Sequence, residues 1–152
     1  CRMAKEPARM AKELHTLIRL HQYRVDDKRR SLGELLGEVA DLEQKGENLE
    51  REIVSEQSIA NSAPESFGMF YGEYATAAVQ KREDISHEIS GVEEKIAVAQ
   101  EEMRVEFKDL KVFEITQEAR DEADALESTR EEHAILDELG QEAHRRRRTE
   151  NT

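Results

Sequence analysis

Apolar residues return along this chain at alternating spacings of three and four, on both sides of a single interruption. The interruption is Asn61-Ser62-Ala63-Pro64-Glu65-Ser66-Phe67-Gly68. Before it, one heptad register places Ala11, Ile18, Val25, Leu32, Val39, Gly46, Ile53 and Ala60 at a. The same register places Leu14, His21, Lys28, Leu35, Leu42, Leu49 and Glu56 at d. After it the stripe is Tyr71, Ala75, Ala78, Ile85, Ile89, Val92, Ile96, Ala99, Met103, Leu110 and Phe113, with Arg82 and Glu106 as polar exceptions. A seven-residue apolar period keeps one stripe of a helix turned toward a partner helix. The pattern predicts an all-α chain, residues 1–152, in which two long helices fold against each other as one antiparallel coiled-coil hairpin.

Pro7 suits a first helical turn, where its missing N–H costs nothing. Helix 1 is expected over about 8–59, the turn over about 60–68 and helix 2 over about 69–144. At a rise of about 1.5 Å per residue, helix 1 would be roughly 75 Å long. Ser62-x-x-Glu65 has the spacing of a capping box and is read as the start of the second helix. Gly68 and Gly72 loosen that start, leaving the boundary anywhere from 63 to 70. Beyond Phe113 the seam positions pass to Gln117, Arg120, Asp124, Glu127 and Glu131, so the register is expected to decay there. Folding back at 61–68 opposes residues whose numbers sum to roughly 128–130. Leu14 then faces the region of Ile115, helix 1 begins opposite about Arg120, and residues beyond about 121 overhang as a single helix or a frayed tail.

Charged residues make up 38% of the chain and aromatics 5%, with no Trp and two Pro, which is the composition of long helices. A mean hydropathy of -0.84 and a net charge of -12 would also suit disorder. Sustained heptads argue against it, because a disordered chain has no reason to keep its apolar residues on one stripe. Residues 1–30 are basic on balance, 121–142 are strongly acidic, and Arg145 to Arg148 reverse the sign. Overall acidity argues against a nucleic-acid partner. The closing arginines read as a solvated tail or as charge complementing a helix C-terminus. Cys1 is the sole cysteine, so no intramolecular disulfide forms. No apolar stretch is long enough to insert into a membrane, and the N-terminal residues lack the apolar run of a secretory signal. A cytoplasmic protein is expected.

Enzyme chemistry finds no footing. There is no nucleophile constellation, phosphate loop or G-x-S-x-G turn, and a two-helix rod walls off no dry pocket. No catalytic residue and no cofactor is predicted. Asp84-x-x-His87 has one-turn spacing but meets no Glu-x-x-His on helix 1. His15, His21, His133 and His144 read as surface residues, so no metal is expected. Gly33 and Gly37 share GxxxG spacing, at about 1 kcal/mol each relative to Ala. They mark local flexibility, the close approach of a partner, or tolerated variation. His21 and Lys28 at d either fix the register or snorkel to solvent. Phe67, Met69, Phe70, Tyr71 and Tyr74 either cover the turn or form an aromatic contact patch at the tip. Leu20, Leu36 and Ile135 fall outside the seam.

Three stretches resemble the FliJ family, the small coiled-coil component of the bacterial flagellar type III export apparatus. The first is Leu17-Ile18-Arg19-Leu20-His21-Gln22-Tyr23-Arg24-Val25-Asp26-Asp27-Lys28-Arg29-Arg30. The second is Phe67-Gly68 with Tyr71 and Tyr74. The third is Glu101-Glu102-Met103-Arg104-Val105-Glu106-Phe107-Lys108-Asp109-Leu110-Lys111-Val112-Phe113-Glu114, followed by Leu136-Asp137-Glu138 and the arginines. The resemblance implies a hairpin similar to the central stalk of a rotary ATPase. It implies docking into the hexameric export ATPase ring, contact with the export-gate protein FlhA, handling of export chaperones, and a place at the cytoplasmic face of the inner membrane. Carried onto this chain, the ring-facing candidates are Leu17, Arg19, Tyr23, Asp26, Arg29, Phe107, Lys111 and Glu114; Phe67, Phe70, Tyr71 and Tyr74 are the candidate tip patch. The alternatives are a general coiled-coil scaffold that self-associates through its seam, an escort for export substrates or chaperones, and the equivalent stalk of a virulence secretion system.

Overall fold

The computed structural model describes residues 5–63, 65 and 68–150. Two helices account for nearly all of them: α1 (Lys5–Ser62) and α2 (Gly68–Glu150). Both extend a few residues past the ends expected from the heptads, since helix-compatible sequence continues there and nothing but the 63–67 break interrupts it. The chain is all-α. It divides into two compact units, one formed by Tyr23–Phe107 and the other by Cys1–Gln22 with Lys108–Thr152.

In the Tyr23–Phe107 unit the two helices run antiparallel on either side of the turn. Lys28 meets Glu102, Gly46 meets Ile85, and Glu50 meets Arg82. The a and d positions of α1 here are buried or half-buried, from Val25 through Leu32, Leu35, Val39, Leu42, Gly46, Leu49, Ile53 and Glu56 to Ala60, while the positions between them are exposed. Val25, Leu42, Leu49, Ala78 and Val92 are its buried apolar core. Two helices cover each other on one side only, so no described side chain falls below 2% exposure. That is the burial a narrow a/d seam permits.

Two expectations fail near the turn. Ser62 does not cap α2. Its hydroxyl donates back to the carbonyls of Ser58 and Ile59, both at 3.1 Å, the backward bonding of a serine that belongs to the preceding helix. Arg82 leaves the stripe: its side chain is 52% exposed and grips Glu50 with two bonds of 2.6 and 2.9 Å. A guanidinium gains more from a bidentate carboxylate in solvent than from an apolar seam. The Glu50–Arg82 pairing also falls slightly past the expected sum, which would have set residues 78–80 opposite Glu50.

In the other unit, Ala11, Leu14, Ile18 and His21 form the buried or half-buried face of α1. Leu110, Phe113, Thr116 and Gln117 do the same on α2. The imidazole of His21 lies against the ring of Phe113, centroids 5.0 Å apart and planes tilted by 35°. His21 is 9% exposed and is therefore a seam residue, not a surface one. Gln117 is 7% exposed, so burial persists one step further than the polar sequence suggested. From Glu118 through Gln141 every residue of α2 is exposed.

Candidate functional site

Leu17, Arg19, Tyr23, Asp26, Arg29, Phe107 and Lys111 sit on helix faces that the seam leaves open, while Glu114 is half-buried. In the Tyr23–Phe107 unit, Tyr23 is 65% and Phe107 47% exposed. Both show large apolar surface to solvent. Asp26 and Arg29 are exposed neighbours one turn apart on α1, paired at 3.6 Å. At that distance and exposure the pair is loosely held and open to exchange with a partner.

Within the unit of residues 1–22 and 108–152, Leu17 is 40% exposed and Arg19 is exposed. Lys111 binds Glu114 at 3.0 Å along α2. Leu17 stands one residue before Ile18, which belongs to the seam, so its exposure follows from helical geometry. Exposed apolar and paired charged groups of this kind can be covered by another protein.

At the turn end, Phe70 is 72% exposed while Tyr71 and Tyr74 are half-buried, their rings 6.3 Å apart and tilted by 36°. With Glu56, Ile59, Ala60 and Ala63 they line an open groove of about 290 Å³. The Tyr74 hydroxyl is closed off from solvent. Burial pushes its pKa above the ordinary 10.0, and the Glu52 carboxylate, then Glu56 and Tyr71, add to the effect. The aromatic cluster thus splits in two: the tyrosines cover the turn end of the seam, and Phe70 points out. Phe67 lies outside the described residues.

Sequence reasoning missed Glu102, which receives Lys28 at 2.6 Å. The expected sum of 128–130 already pointed to it. It also missed the Gln117 side-chain oxygen, which is buried with no hydrogen-bond partner while Nε2 donates to Asp121 at 2.7 Å. No pattern in the sequence marks such an atom. Gly33 and Gly37 have nothing within 4 Å of where a Cβ would stand, so the chain's own helices do not approach there.

Residues 10–149 match the family described as Flagellar FliJ protein. No curated protein matches, and no solved structure does. Among the described residues no helix is long and apolar enough to cross a membrane.

Proposed function

The chain belongs to the FliJ family of flagellar proteins, and from that premise we propose that it is a non-enzymatic stalk of the export apparatus. It is a flagellar export-related protein by family. In the proposed role it acts as one coiled-coil element, docks into the hexameric export ATPase, stimulates hydrolysis and engages the gate protein FlhA. It works at the cytoplasmic face of the inner membrane. Leu17, Arg19, Lys111 and Glu114 in one unit, and Tyr23, Asp26, Arg29 and Phe107 in the other, would contact the ring. Phe70, Tyr71 and Tyr74, with Phe67, would form a tip contact.

The family match over residues 10–149, on two long helices, carries this reading. Exposed Leu17, Tyr23 and Phe107 support it, because large apolar side chains outside a seam are what a protein partner covers. Adding the purified chain to its cognate export ATPase should raise hydrolysis and favour ring assembly. Unchanged hydrolysis across a stoichiometric titration, with no ATPase retained in a pull-down, would refute the stalk role.

A second reading, an escort for export substrates or chaperones, draws on Leu20 and Leu36, exposed at 43% and 51%. It requires that Leu36→Asp abolish client binding while helicity is kept.

A further inference from the structure

In the unit of residues 1–22 and 108–152, an open groove of about 580 Å³ lies between α1 and α2. On its α2 side stand the carboxylates of Glu114, Glu118, Asp121 and Glu122, with Gln117 among them. Its α1 side is His15, Ile18 and Gln22, with neither lysine nor arginine. Lys111 holds Glu114 at 3.0 Å. Among the described residues no lysine or arginine pairs with Glu118, Asp121 or Glu122. Glu114, Glu118 and Glu122 follow one another at four-residue spacing, where like charges on a helix repel. The groove is thus short of a cation.

It is also short of a donor. Gln117 is 7% exposed, and its Oε1 is buried with no hydrogen-bond partner, because Nε2 is the group that meets Asp121, at 2.7 Å. A buried acceptor without a donor is a standing cost to the fold. Asp121 thus meets Gln117 but no cation.

One chemical group answers both deficits. A guanidinium is always charged and carries five N–H groups in a planar fork. The terminal torsion of Gln117 is soft, so a modest turn of the amide brings Oε1 toward the groove. One edge of the fork can then donate to Oε1 and another to the carboxylate of Glu118 or Asp121. The methylene stem of an arginine would lie along Ile18 and Ala125, the apolar residues of the groove. A bare divalent ion fits less well, since the carboxylates are strung over residues 114–122, about 12 Å of helix, instead of converging on a point. An ammonium is a compact, strongly hydrated charge without the fork.

We propose that this groove receives an arginine side chain of a partner protein, with Gln117 Oε1 and the carboxylates of Glu118 and Asp121 as its acceptors. The inference stands apart from the stalk reading, because binding is read on this chain alone and not through ATPase stimulation.

The test titrates the isotope-labelled full chain with N-acetyl-arginine amide at about 0.05 M salt and follows the Glu118 and Asp121 backbone amides by NMR. A saturable shift is expected at these positions and at the Gln117 side-chain amide. N-acetyl-lysine amide should bind roughly tenfold more weakly, and the uncharged N-acetyl-citrulline amide should give no saturable shift. Gln117→Leu should weaken arginine binding roughly tenfold, as should Glu118→Gln combined with Asp121→Asn, with circular dichroism showing helicity retained. Glu131→Gln combined with Glu138→Gln, elsewhere on α2, should leave it unchanged. Equal binding of lysine and arginine would mark a merely acidic surface and overturn the proposal. So would arginine binding that Gln117→Leu leaves intact, or the absence of a saturable shift in the wild-type chain.

Discussion

Lys28 on α1 donates to the Glu102 carboxylate on α2 across 2.6 Å, tying together residues 74 apart in the chain. Lys28 occupies a d position, yet its side chain remains 35% exposed. Its stem therefore lies along the seam while its ammonium reaches out to a partner on the opposite helix. The snorkelling side chain thus joins the two helices. Lys28→Glu should lower the melting temperature by setting two carboxylates against each other, and Glu102→Lys should do the same with two cations. The double exchange should recover most of the loss in thermal melts followed by circular dichroism. A double variant no more stable than the worse single one would show that the helices do not read this pair.

The same unit should weaken in alkali. Lys28 is held above its ordinary 10.5, first by the hydrogen bond to Glu102 and then by that carboxylate's charge. Tyr74 is held above its ordinary 10.0, first by burial. In both cases the folded chain keeps the proton more tightly than the unfolded chain does. Their contributions are therefore complete below about pH 10 and are lost as pH rises through the ordinary values to the shifted ones. Glu101 runs the other way. The Arg104 guanidinium holds it below 4.5, so its contribution is present above that value and disappears as acid protonates it. Urea midpoints measured up to strongly alkaline pH should fall. Lys28→Arg, which keeps its charge, and Tyr74→Phe, which has no proton to lose, should each flatten that decline.

Gly33 and Gly37 are stability left unused. Both lie inside α1, are exposed, and leave open space where a Cβ would stand. Glycine costs a helix interior about 1 kcal/mol relative to alanine, chiefly through the freedom of the unfolded chain. Gly33→Ala and Gly37→Ala should therefore each stabilise by roughly 0.5–1 kcal/mol in urea unfolding. Gly46 differs, since a Cβ there would touch Ile85 Cγ2 at 3.8 Å, an ordinary contact. Gly46→Ala should gain at least as much, because the methyl adds seam packing to helix propensity.

The heptads made the helices legible because a narrow seam obeys a simple rule. A residue at a or d is covered and its neighbours are not, and α1 follows this from Ala11 to Ala60. The rule says nothing about what a polar residue does once it is there. His21 is stable in the seam because the Phe113 ring lies against it. Arg82 leaves because Glu50 offers a better partner outside. Both outcomes depend on which side chain stands opposite, which a one-dimensional period does not carry. Ser62 was misread for a related reason. The capping-box spacing is satisfied, but a hydroxyl can equally donate backward, and Ser62 does so to the Ser58 and Ile59 carbonyls of its own helix. The candidate contact residues came from family resemblance, because exposure alone does not distinguish Tyr23 from the similarly exposed Val54, at 65% and 64%.

Gln117 is a buried polar residue satisfied on one side only. Its Nε2 donates to Asp121, but Oε1 is closed off from solvent with no partner, and the residue is 7% exposed. An unpaired buried acceptor costs about 1–3 kcal/mol, whereas an apolar group of similar shape in its place costs nothing of the kind. Gln117→Leu removes the acceptor and adds apolar area to a face it shares with Leu110 and Phe113, at the loss of the bond to Asp121. The balance favours the substitution by on the order of 1 kcal/mol. Gln117→Ala gives up the same acceptor but opens a cavity, and should gain less or lose. Chemical unfolding of the two variants beside the wild type orders them. If Gln117→Leu is the least stable of the three, the Gln117 oxygen is not the liability its burial implies.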